Sequence, residues 1–411
     1  MKRAKRSPLL LMALTVLIDF TGFGVIIPLL PFWAEHLGAN PVQIGLILTA
    51  YSLAQFLFLP MLGRLSDRYG RRPVILWSLL IEAGSLALTA LSGTFLILLI
   101  ARFVGGMGAA NLGTAQAVVS DTTAPAERAR GMGFIGAAIG LGFVIGPAIG
   151  GGLAALGMAT PFWVAGALAL VNAVMVFFLL PETRASQGPA ADTRPVNRVS
   201  LMATLRQPAM ARLLVINLLY TLAFTAMEAM YPLFSQRAFG WGAKQNAYIF
   251  VYVGVIMVIV QGGLIGRLAK MWGAQRLLVV GLALLAAGLL LLPFGALLAV
   301  MLIAVGVLSA GSGAVSATSS TLASLVADEE SQGQTLGVIQ SSGGLGRIIG
   351  PLAAGWIFAL GGAGAPFVVG GLLTVLALLV AIPRLPLRRF PGQTPDQAAN
   401  SADSVEAIEA I

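Results

Sequence analysis

The segment Gly63-Arg64-Leu65-Ser66-Asp67-Arg68-Tyr69-Gly70 occurs a second time, in altered form, as Gly266-Arg267-Leu268-Ala269-Lys270-Met271-Trp272-Gly273. Other marker residues recur at nearly the same offset: Pro28 as Pro232, and Gly146-Pro147 as Gly350-Pro351. One half of the chain is therefore a degenerate copy of the other. In a membrane protein, the interface between two such halves is where a transport pathway can lie, because the halves can rock about it.

The composition indicates that the chain lies in a lipid bilayer. Hydrophobic residues make up 58% of the 411 residues and charged residues only 10%, whereas a soluble domain has about 25% charged residues. Many apolar runs are roughly 20 residues long, which is enough to cross a ~30 Å hydrocarbon core. The sequence thus predicts an all-α membrane protein.

Twelve spans are predicted, arranged as two pseudo-symmetric six-helix bundles. The spans lie near residues 9–33, 42–62, 74–92, 94–117, 131–156, 161–181, 210–236, 245–265, 277–293, 295–325, 333–360 and 364–383. The first bundle is assigned to residues 1–181 and the second to residues 209–383. Residues 182–208, rich in Pro and Arg, read as a cytoplasmic linker, and the polar, acidic residues 384–411 as a disordered cytoplasmic tail.

The distribution of basic residues predicts on which side of the membrane the two termini lie. Most of the 25 Lys and Arg residues fall in segments on one side of the predicted topology, which the positive-inside rule makes the cytoplasmic side. This predicts a multi-pass protein of the plasma (inner) membrane with both termini cytoplasmic. The net charge of +9 is then a topology signal, and no basic patch is interleaved with aromatic residues as a nucleic-acid surface would require.

Several kinds of chemistry are disfavoured by what the sequence lacks. There are no cysteines and a single histidine, His36, so a thiol nucleophile is excluded and a zinc site is not expected. The sequence shows no nucleophile paired with a base, which is the pattern that would indicate an enzyme. We expect no metal, no cofactor and no nucleic-acid partner, and we expect a monomer.

Five ionisable residues lie within predicted spans: Asp19, Glu82, Arg102, Glu228 and Arg347. Each costs several kcal/mol there, about 3 on insertion scales, unless it is paired or faces water. A poorly solvated carboxylate can exchange a proton near neutral pH, whereas arginine stays charged. These residues are the predicted proton-coupling set, although static ion pairs that fix helix packing are the alternative for each acid.

A second set of residues is predicted to line a substrate cavity. They are polar or aromatic residues at helical spacing within the spans, and such a mixture suits an amphipathic organic molecule better than a bare ion. Packing between helices is the alternative, slightly favoured for the serines. The set comprises Tyr51, Gln55, Asn111, Gln116, Asn217, Tyr220, Thr221, Tyr231, Tyr248, Tyr252, Ser312, Ser316 and Gln340.

Glycines in the fifth span form a ridge. Gly142, Gly146 and Gly150 recur every four residues, and Pro147 removes one helical hydrogen bond. Such a ridge is either a bendable gate between the halves or an ordinary tight helix contact.

The segment Gly63 to Pro73 resembles the signature loop of the major facilitator superfamily. Arg102 before Gly105, Gly106 and Gly108 resembles its fourth-span motif, and Gly142 to Gly151 resembles the fifth-span motif of its antiporters. The stretches 19–31, 51–60 and 121–123 are most similar to its twelve-span drug/proton antiporters, especially tetracycline exporters. The resemblance implies the major facilitator fold.

The resemblance also implies roles for residues at the cytoplasmic side. Asp67 would accept hydrogen bonds at the start of the eleventh span, whose dipole stabilises a carboxylate, and so latch the halves together in the outward-open state. Arg71 and Asp121 would share its charge network. The predicted gating and latch set is Gly63, Asp67, Arg68, Arg71, Arg72, Asp121, Gly142, Gly146 and Pro147.

The chain departs from the tetracycline exporters at some positions. Their third-span aspartate aligns with Ser85, with Glu82 about one turn away, and Glu228 and Arg347 are additions. The leading hypothesis is therefore a proton-coupled exporter of amphipathic drug-like compounds. Two alternatives stay open: proton symport or uniport of a small metabolite such as a sugar or organic anion, and a membrane receptor or scaffold that does not transport.

Overall fold

The computed structural model describes residues 8–109, 112–123, 128–183, 207–295, 297–326 and 332–383. They form fifteen α-helices. The helices are α1 Pro8–Ile26, α2 Leu30–His36, α3 Pro41–Tyr69, α4 Arg71–Ala90, α5 Phe95–Gly108, α6 Leu112–Thr122, α7 Arg128–Ala154, α8 Thr160–Leu179, α9 Pro208–Phe239, α10 Ala243–Ile259, α11 Ile265–Trp272, α12 Ala274–Leu291, α13 Leu298–Val326, α14 Gln332–Gly361 and α15 Ala365–Ala381.

The helices account for the twelve predicted spans. Eleven helical stretches are long and apolar enough to cross a membrane, counting α5 with α6 and α10 with α11 as single stretches. The twelfth, α15, is apolar and has 17 residues, close to the lower limit of about 17 for a spanning helix. The all-helical membrane fold is confirmed.

The boundaries differ from the prediction at two points. The segment 63–73 was expected to be a loop, but α3 continues to Tyr69 and α4 begins at Arg71. Gly70, with φ +102°, makes the whole link, and Gly273, with φ +78°, makes the matching link between α11 and α12. Both values are in the region that glycine adopts without strain. The first predicted span is also interrupted at Pro28, since proline cannot continue a helix.

The two halves repeat one packing scheme. In the first, α1 packs on α7 and α8, and α4 packs on α5 and α8; in the second, α9 packs on α14 and α15, and α12 on α13 and α15. Thr21 of α1 and Thr225 of α9 occupy equivalent places, and the hydroxyl of each donates to the carbonyl four residues earlier, at 2.7 and 2.8 Å. The internal repeat of the sequence is thus a repeat of structure.

The glycine ridge of α7 lies inside the first bundle. A side chain at Gly142 would meet Phe20 and Thr21, and one at Gly150 would meet Val25, all on α1. Gly346 and Gly350 of α14 face Thr221 and Thr225 of α9 in the same manner. The ordinary helix contact is therefore the arrangement observed, because the small residues let paired helices approach closely. A gating role for Gly142, Gly146 and Pro147 stays a prediction.

The bundles meet through α3 with α14 and through α7 with α10. The hydroxyl of Thr49 donates to the carbonyl of Ile348 at 2.6 Å. Gly45 lies against Pro351, Gly355 against Pro41, and Gly151 against Ala247. We call the end that carries Pro41 the far end, and the end that carries Asp67 the basic end. These contacts close the two bundles together at the far end.

At the basic end the bundles separate. Along α3 and α14 the close approaches run from Pro41 to Phe56, which lies against Gly344. Beyond that point Asp67 is 62% exposed and pairs within its own bundle, and Gln340 is exposed. The structure is therefore open toward the basic end.

Parts of the predicted domain organisation lie outside the described residues. These are most of the linker, 184–206, and the tail, 384–411. The boundaries of the bundles at residues 181 and 209 stay predictions.

Candidate functional site

A cavity lies between the bundles, with about 620 Å³ of empty space that is partly continuous with solvent. Residues from both halves form its wall, and most of them are apolar. The lining residues are Phe23, Ile26, Ile27, Leu30, Leu48, Tyr51, Ser52, Gln55, Arg102, Thr225, Glu228, Ala229, Arg347 and Pro351. Its mainly apolar wall with a few polar groups is that of a site for a small organic molecule.

The first bundle contributes a buried charged cluster. Arg102 is 3% exposed and Glu82 is 8% exposed. The guanidinium of Arg102 lies over the ring of Tyr51, 4.5 Å from its centroid, and Glu82 and Asp19 act electrostatically on one another and on their surroundings. Because arginine stays charged when buried, Arg102 offsets the negative charge of these acids.

Glycines of α5 allow this cluster to form. A side chain at Gly106 would run into Tyr51 and Ala54 of α3, and one at Gly108 into Glu82 of α4. The close approach of α5 to both neighbours places Arg102 between Tyr51 and Glu82. The position of the cation thus depends on the three-glycine pattern that follows it.

Asp19 is hydrogen-bonded by a residue of α8, a helix in which no site residue was predicted. The side-chain amide of Asn172 in α8 donates to a carboxylate oxygen of Asp19 at 2.7 Å and to the carbonyl of Thr15 at 3.0 Å. Asn172 is fully buried. An asparagine in the middle of an apolar span was a usable signal, since polar groups at that depth need a partner.

The second bundle contributes Glu228 from α9 and Arg347 from α14, both in the cavity wall. Glu228 is half-buried and Arg347 is exposed. They act on each other electrostatically, yet within the described part of the chain no ion pair shorter than 4.0 Å joins them. The cavity therefore holds an acid and a base from one bundle that are near each other but not locked together.

The sequence profile of the Major Facilitator Superfamily matches residues 12–273 and, in a second match, residues 262–408. The chain belongs to the major facilitator superfamily. It is therefore a multi-pass membrane transporter, and neither an enzyme nor a non-transporting receptor or scaffold.

Relatives within the superfamily include drug-resistance and transport proteins. The chain is 31% identical to "Tetracycline resistance protein, class D" of Salmonella ordonez over 92% of its length and 98% of that protein. It is 31% identical to "Multidrug resistance protein 2" of Bacillus subtilis over 64% of its length. The crystal structure of the human organic anion transporter MFSD10 (TETRAN) superposes with a TM-score of 0.70 at 28% identity, covering 92% of this chain and 100% of that one.

The structure of this superfamily member brings some predicted site residues together and separates others. Tyr51, Gln55, Arg102, Glu228 and Arg347 line the cavity. Asp19 and Glu82 lie outside the lining, in electrostatic contact with Tyr51 of the wall. Phe23, Ile26, Ile27, Leu30 and Leu48 were not predicted, because an apolar residue in a span gives no sign of whether it faces lipid, protein or a cavity.

Other predicted cavity residues of the transporter serve helix packing. Tyr231 is 1% exposed and donates to the sulfur of Met301. Asn217 donates to the carbonyl of Ile339 at 2.9 Å, and Thr221 lies against Gly346. Tyr220 shares a hydrogen bond of 3.0 Å with Ser312. The polar groups of Tyr231, Asn217 and Tyr220 are thus used within the second bundle, and Thr221 packs there against α14.

The remaining predicted cavity residues are dispersed. Tyr248 is exposed, and the exposed Tyr252 donates to the carbonyl of Leu302 at 3.3 Å. Gln116 and Ser316 are half-buried and Gln340 is exposed. None of these five lies in the wall of the described cavity. Asn111 lies outside the described residues.

The charge network expected at the basic end of the transporter is present. The guanidinium of Arg71 contacts Asp67 at 2.6 Å and Asp121 at 3.1 Å, and it donates to Ser66 at 2.7 Å. The hydroxyl of Ser66 in turn donates to the carbonyl of Gly63 at 2.8 Å. This network joins α3, α4 and α6 within the first bundle.

Neighbouring residues tie α4 to α8. Arg72 donates to the carbonyl of Phe177 and lies over its ring, and Arg68 lies over the ring of Tyr69. Glu182 accepts hydrogen bonds from the backbone N–H groups of Arg71 and Arg72, at 2.9 and 3.2 Å. A carboxylate at the start of a helix is stabilised there, so Glu182, a residue not predicted to belong to the site, positions the signature segment.

Proposed function

We propose that this transporter exports amphipathic, drug-like organic compounds in exchange for protons by alternating access. It would act as a monomer in the plasma (inner) membrane with both termini cytoplasmic, so that the basic end is the cytoplasmic end. The opening toward the basic end is then the state that loads substrate from inside the cell.

The cavity wall is the observation on which the proposal rests. Phe23, Tyr51 and the aliphatic residues of α1 to α3 offer apolar surface, while Gln55 and Glu228 offer polar groups at separate points. A few placed polar groups on a mainly apolar wall suit compounds with an apolar body and a polar end.

Glu228 gives the cavity a means of proton coupling. Its carboxyl group lies in the same wall as the substrate surface, so a bound compound and a proton on Glu228 can exclude each other. If each binds at the expense of the other, the downhill movement of protons drives the compound out. Asp19 and Glu82, with Arg102 in the same cluster, supply two further titratable groups in the first bundle.

The names of relatives support the choice of substrate class. A tetracycline resistance protein is related over nearly its whole length, and a multidrug resistance protein over a part. The cavity here adds Glu228 and Arg347, so a drug-like compound is proposed without restriction to tetracyclines.

The latch would form in the opposite state. Asp67 is paired with Arg71 and exposed in this structure. Its carboxylate can therefore accept further hydrogen bonds when the bundles close at the basic end. The proposed closure brings Asp67 to the positive end of α14, with Arg71 and Asp121 holding its geometry.

Uptake into energised inverted membrane vesicles, whose cytoplasmic face points outward, tests the proposal. We expect uphill movement of a fluorescent amphipathic drug to stop when an ionophore collapses the proton gradient, and Glu228→Gln to lose uphill movement while keeping downhill exchange. Glu35→Gln, at an exposed acid of α2 outside the cavity, is the matched control. Uphill transport that persists without a proton gradient would refute the exchange.

The exposed Arg347 favours a second candidate, proton-coupled transport of an organic anion. A guanidinium in a cavity wall suits a carboxylate, which it can bind through two hydrogen bonds. The related human protein is titled an organic anion transporter.

A further inference from the structure

Arg347 has unused binding capacity in the cavity. It is exposed on α14, and within the described ranges its side chain makes no hydrogen bond and no ion pair shorter than 4.0 Å. Guanidinium carries five N–H donors. Glu228 on α9 lies in the same wall and likewise makes no such contact with another described residue.

Few other charged groups face this pair. Tyr220 of α9 acts electrostatically on both members of the pair and shares its hydroxyl with Ser312, and Tyr51 and Arg102 face the cavity from the first bundle. The described residues of α13 and α15 include no charged side chain. The charges of α2, α3 and α10 lie at their ends: Glu35, His36, Arg64, Asp67, Arg68 and Lys244.

The charge of the second bundle's wall therefore depends on one proton. When Glu228 is ionised, its charge and that of Arg347 cancel. When Glu228 is protonated, Arg347 keeps its charge, because arginine does not lose its proton in proteins. Because protein surrounds part of the cavity, that remaining charge attracts an anion more strongly than it would in bulk water.

We infer that Glu228 and Arg347 make the direction of proton coupling depend on the charge of the substrate. An organic anion binds Arg347, and a proton on Glu228 strengthens its binding, so anion and proton move together. An organic cation binds the Glu228 carboxylate and competes with the proton, so cation and proton move in opposite directions. Linkage requires the reverse effects as well: the anion raises the affinity of Glu228 for a proton, and the cation lowers it.

The apolar wall fits either kind of compound. Phe23, Ile26, Ile27 and Leu30 of the first bundle are in the lining with Glu228 and Arg347. An apolar body against this surface would leave its charged end to the second bundle. The inference rests on the proposed exporter only in taking Glu228 as a proton carrier that shares the substrate cavity.

Binding of three matched compounds to the purified full chain tests the inference. Phenylbutyrate, phenylbutyramide and phenylbutylamine share an apolar body and differ in the charge of the end. The acid stays ionised above a pKa of about 4 and the amine stays protonated below about 10, as ordinary carboxyl and ammonium groups do. Radiolabelled binding is measured at mildly acidic and mildly alkaline pH for the unmodified chain, Glu228→Gln, Arg347→Gln and Arg267→Gln, the last an exposed arginine outside the cavity.

We expect the affinity for phenylbutyrate to rise on acidification and that for phenylbutylamine to fall, with phenylbutyramide unchanged. Arg347→Gln should weaken phenylbutyrate binding by about tenfold or more, and Glu228→Gln should remove the pH dependence of both charged compounds. Arg267→Gln should behave as the unmodified chain.

Equal affinity for all three compounds at both pH values would overturn the inference, as would unchanged phenylbutyrate binding in Arg347→Gln. Neither result decides whether export requires the proton gradient, which the ionophore experiment measures separately. Conversely, export that ignores the proton gradient would refute the proposed exchange while the binding series still decides whether charge sets the coupling.

Discussion

The guanidinium carbon of Arg102 lies 4.5 Å from the centroid of the Tyr51 ring, so a buried cation of α5 rests against an aromatic residue in the cavity wall. Glu82 and Asp19 also act electrostatically on Tyr51. A charge that is buried this deeply is stable only with its partners in place. The cluster therefore joins the stability of the first bundle to the chemistry of the cavity.

Replacing Arg102 should destabilise the protein. Arg102→Ala leaves buried Glu82 without its compensating cation, and breaking a buried pair in this way costs roughly 3–5 kcal/mol. Thermal unfolding of the purified chain in detergent measures the effect. Arg267→Ala, at an exposed position, is the control. Equal melting temperatures for the two variants would show that the cluster does not stabilise the fold.

The hydrogen bond from Asn172 to Asp19 should affect proton coupling as well as stability. Asn172→Ala removes the donor at 2.7 Å and should cost about 1–3 kcal/mol; it should also shift the pH dependence of transport. Asn217→Ala removes a buried donor to Ile339 and Ser342 instead, and should lower stability without the pH shift. Identical pH profiles for the two variants would contradict a proton-coupling role for Asp19.

Adding a side chain to the glycine ridge of α7, where α1 packs against it, should destabilise the protein. A Cβ at Gly146 would come within 2.7 Å of the Cα of Gly24, so Gly146→Ala should destabilise the chain by about 1–3 kcal/mol through overpacking. Gly152 of the same helix has nothing within 4 Å, and Gly152→Ala should be neutral. Unfolding in detergent compares them, and similar losses for both would indicate a general effect of helix composition.

A cross-link at the far end should trap the state described here. Because the chain has no cysteine, Thr49→Cys with Ile348→Cys introduces a single pair where α3 meets α14. A short bifunctional thiol reagent should join the pair and stop transport, and each single variant should stay active after the same treatment. Transport at full rate through the cross-linked pair would argue against rocking of the bundles about this interface.

Much of the fold was predictable because the physical constraints are local. The length of the apolar runs predicted the spans, and the repeated glycine and proline positions predicted two similar halves. The segment 63–73 was misread as a loop because its charges suggest solvent, whereas Gly70 alone makes the turn between two long helices.

The site was only partly predictable, for a related reason. Glu228 and Arg347 were found because charge in a span is costly, and both line the cavity. Tyr231 and Asn217 were placed there too, but their polar groups bind within the second bundle. A polar residue in a span needs a partner, and the sequence does not say whether that partner is a helix or a substrate.

The movement of protons during transport tests the central claim most directly. Proteoliposomes that hold a pH-sensitive dye and a preset proton gradient receive a transported drug that carries a permanent positive charge. The unmodified chain and Glu35→Gln should release protons down the gradient when the drug is added, and Asp19→Asn combined with Glu228→Gln should release none while keeping its fold. Drug-induced proton movement at the unmodified rate in that double variant would contradict the account.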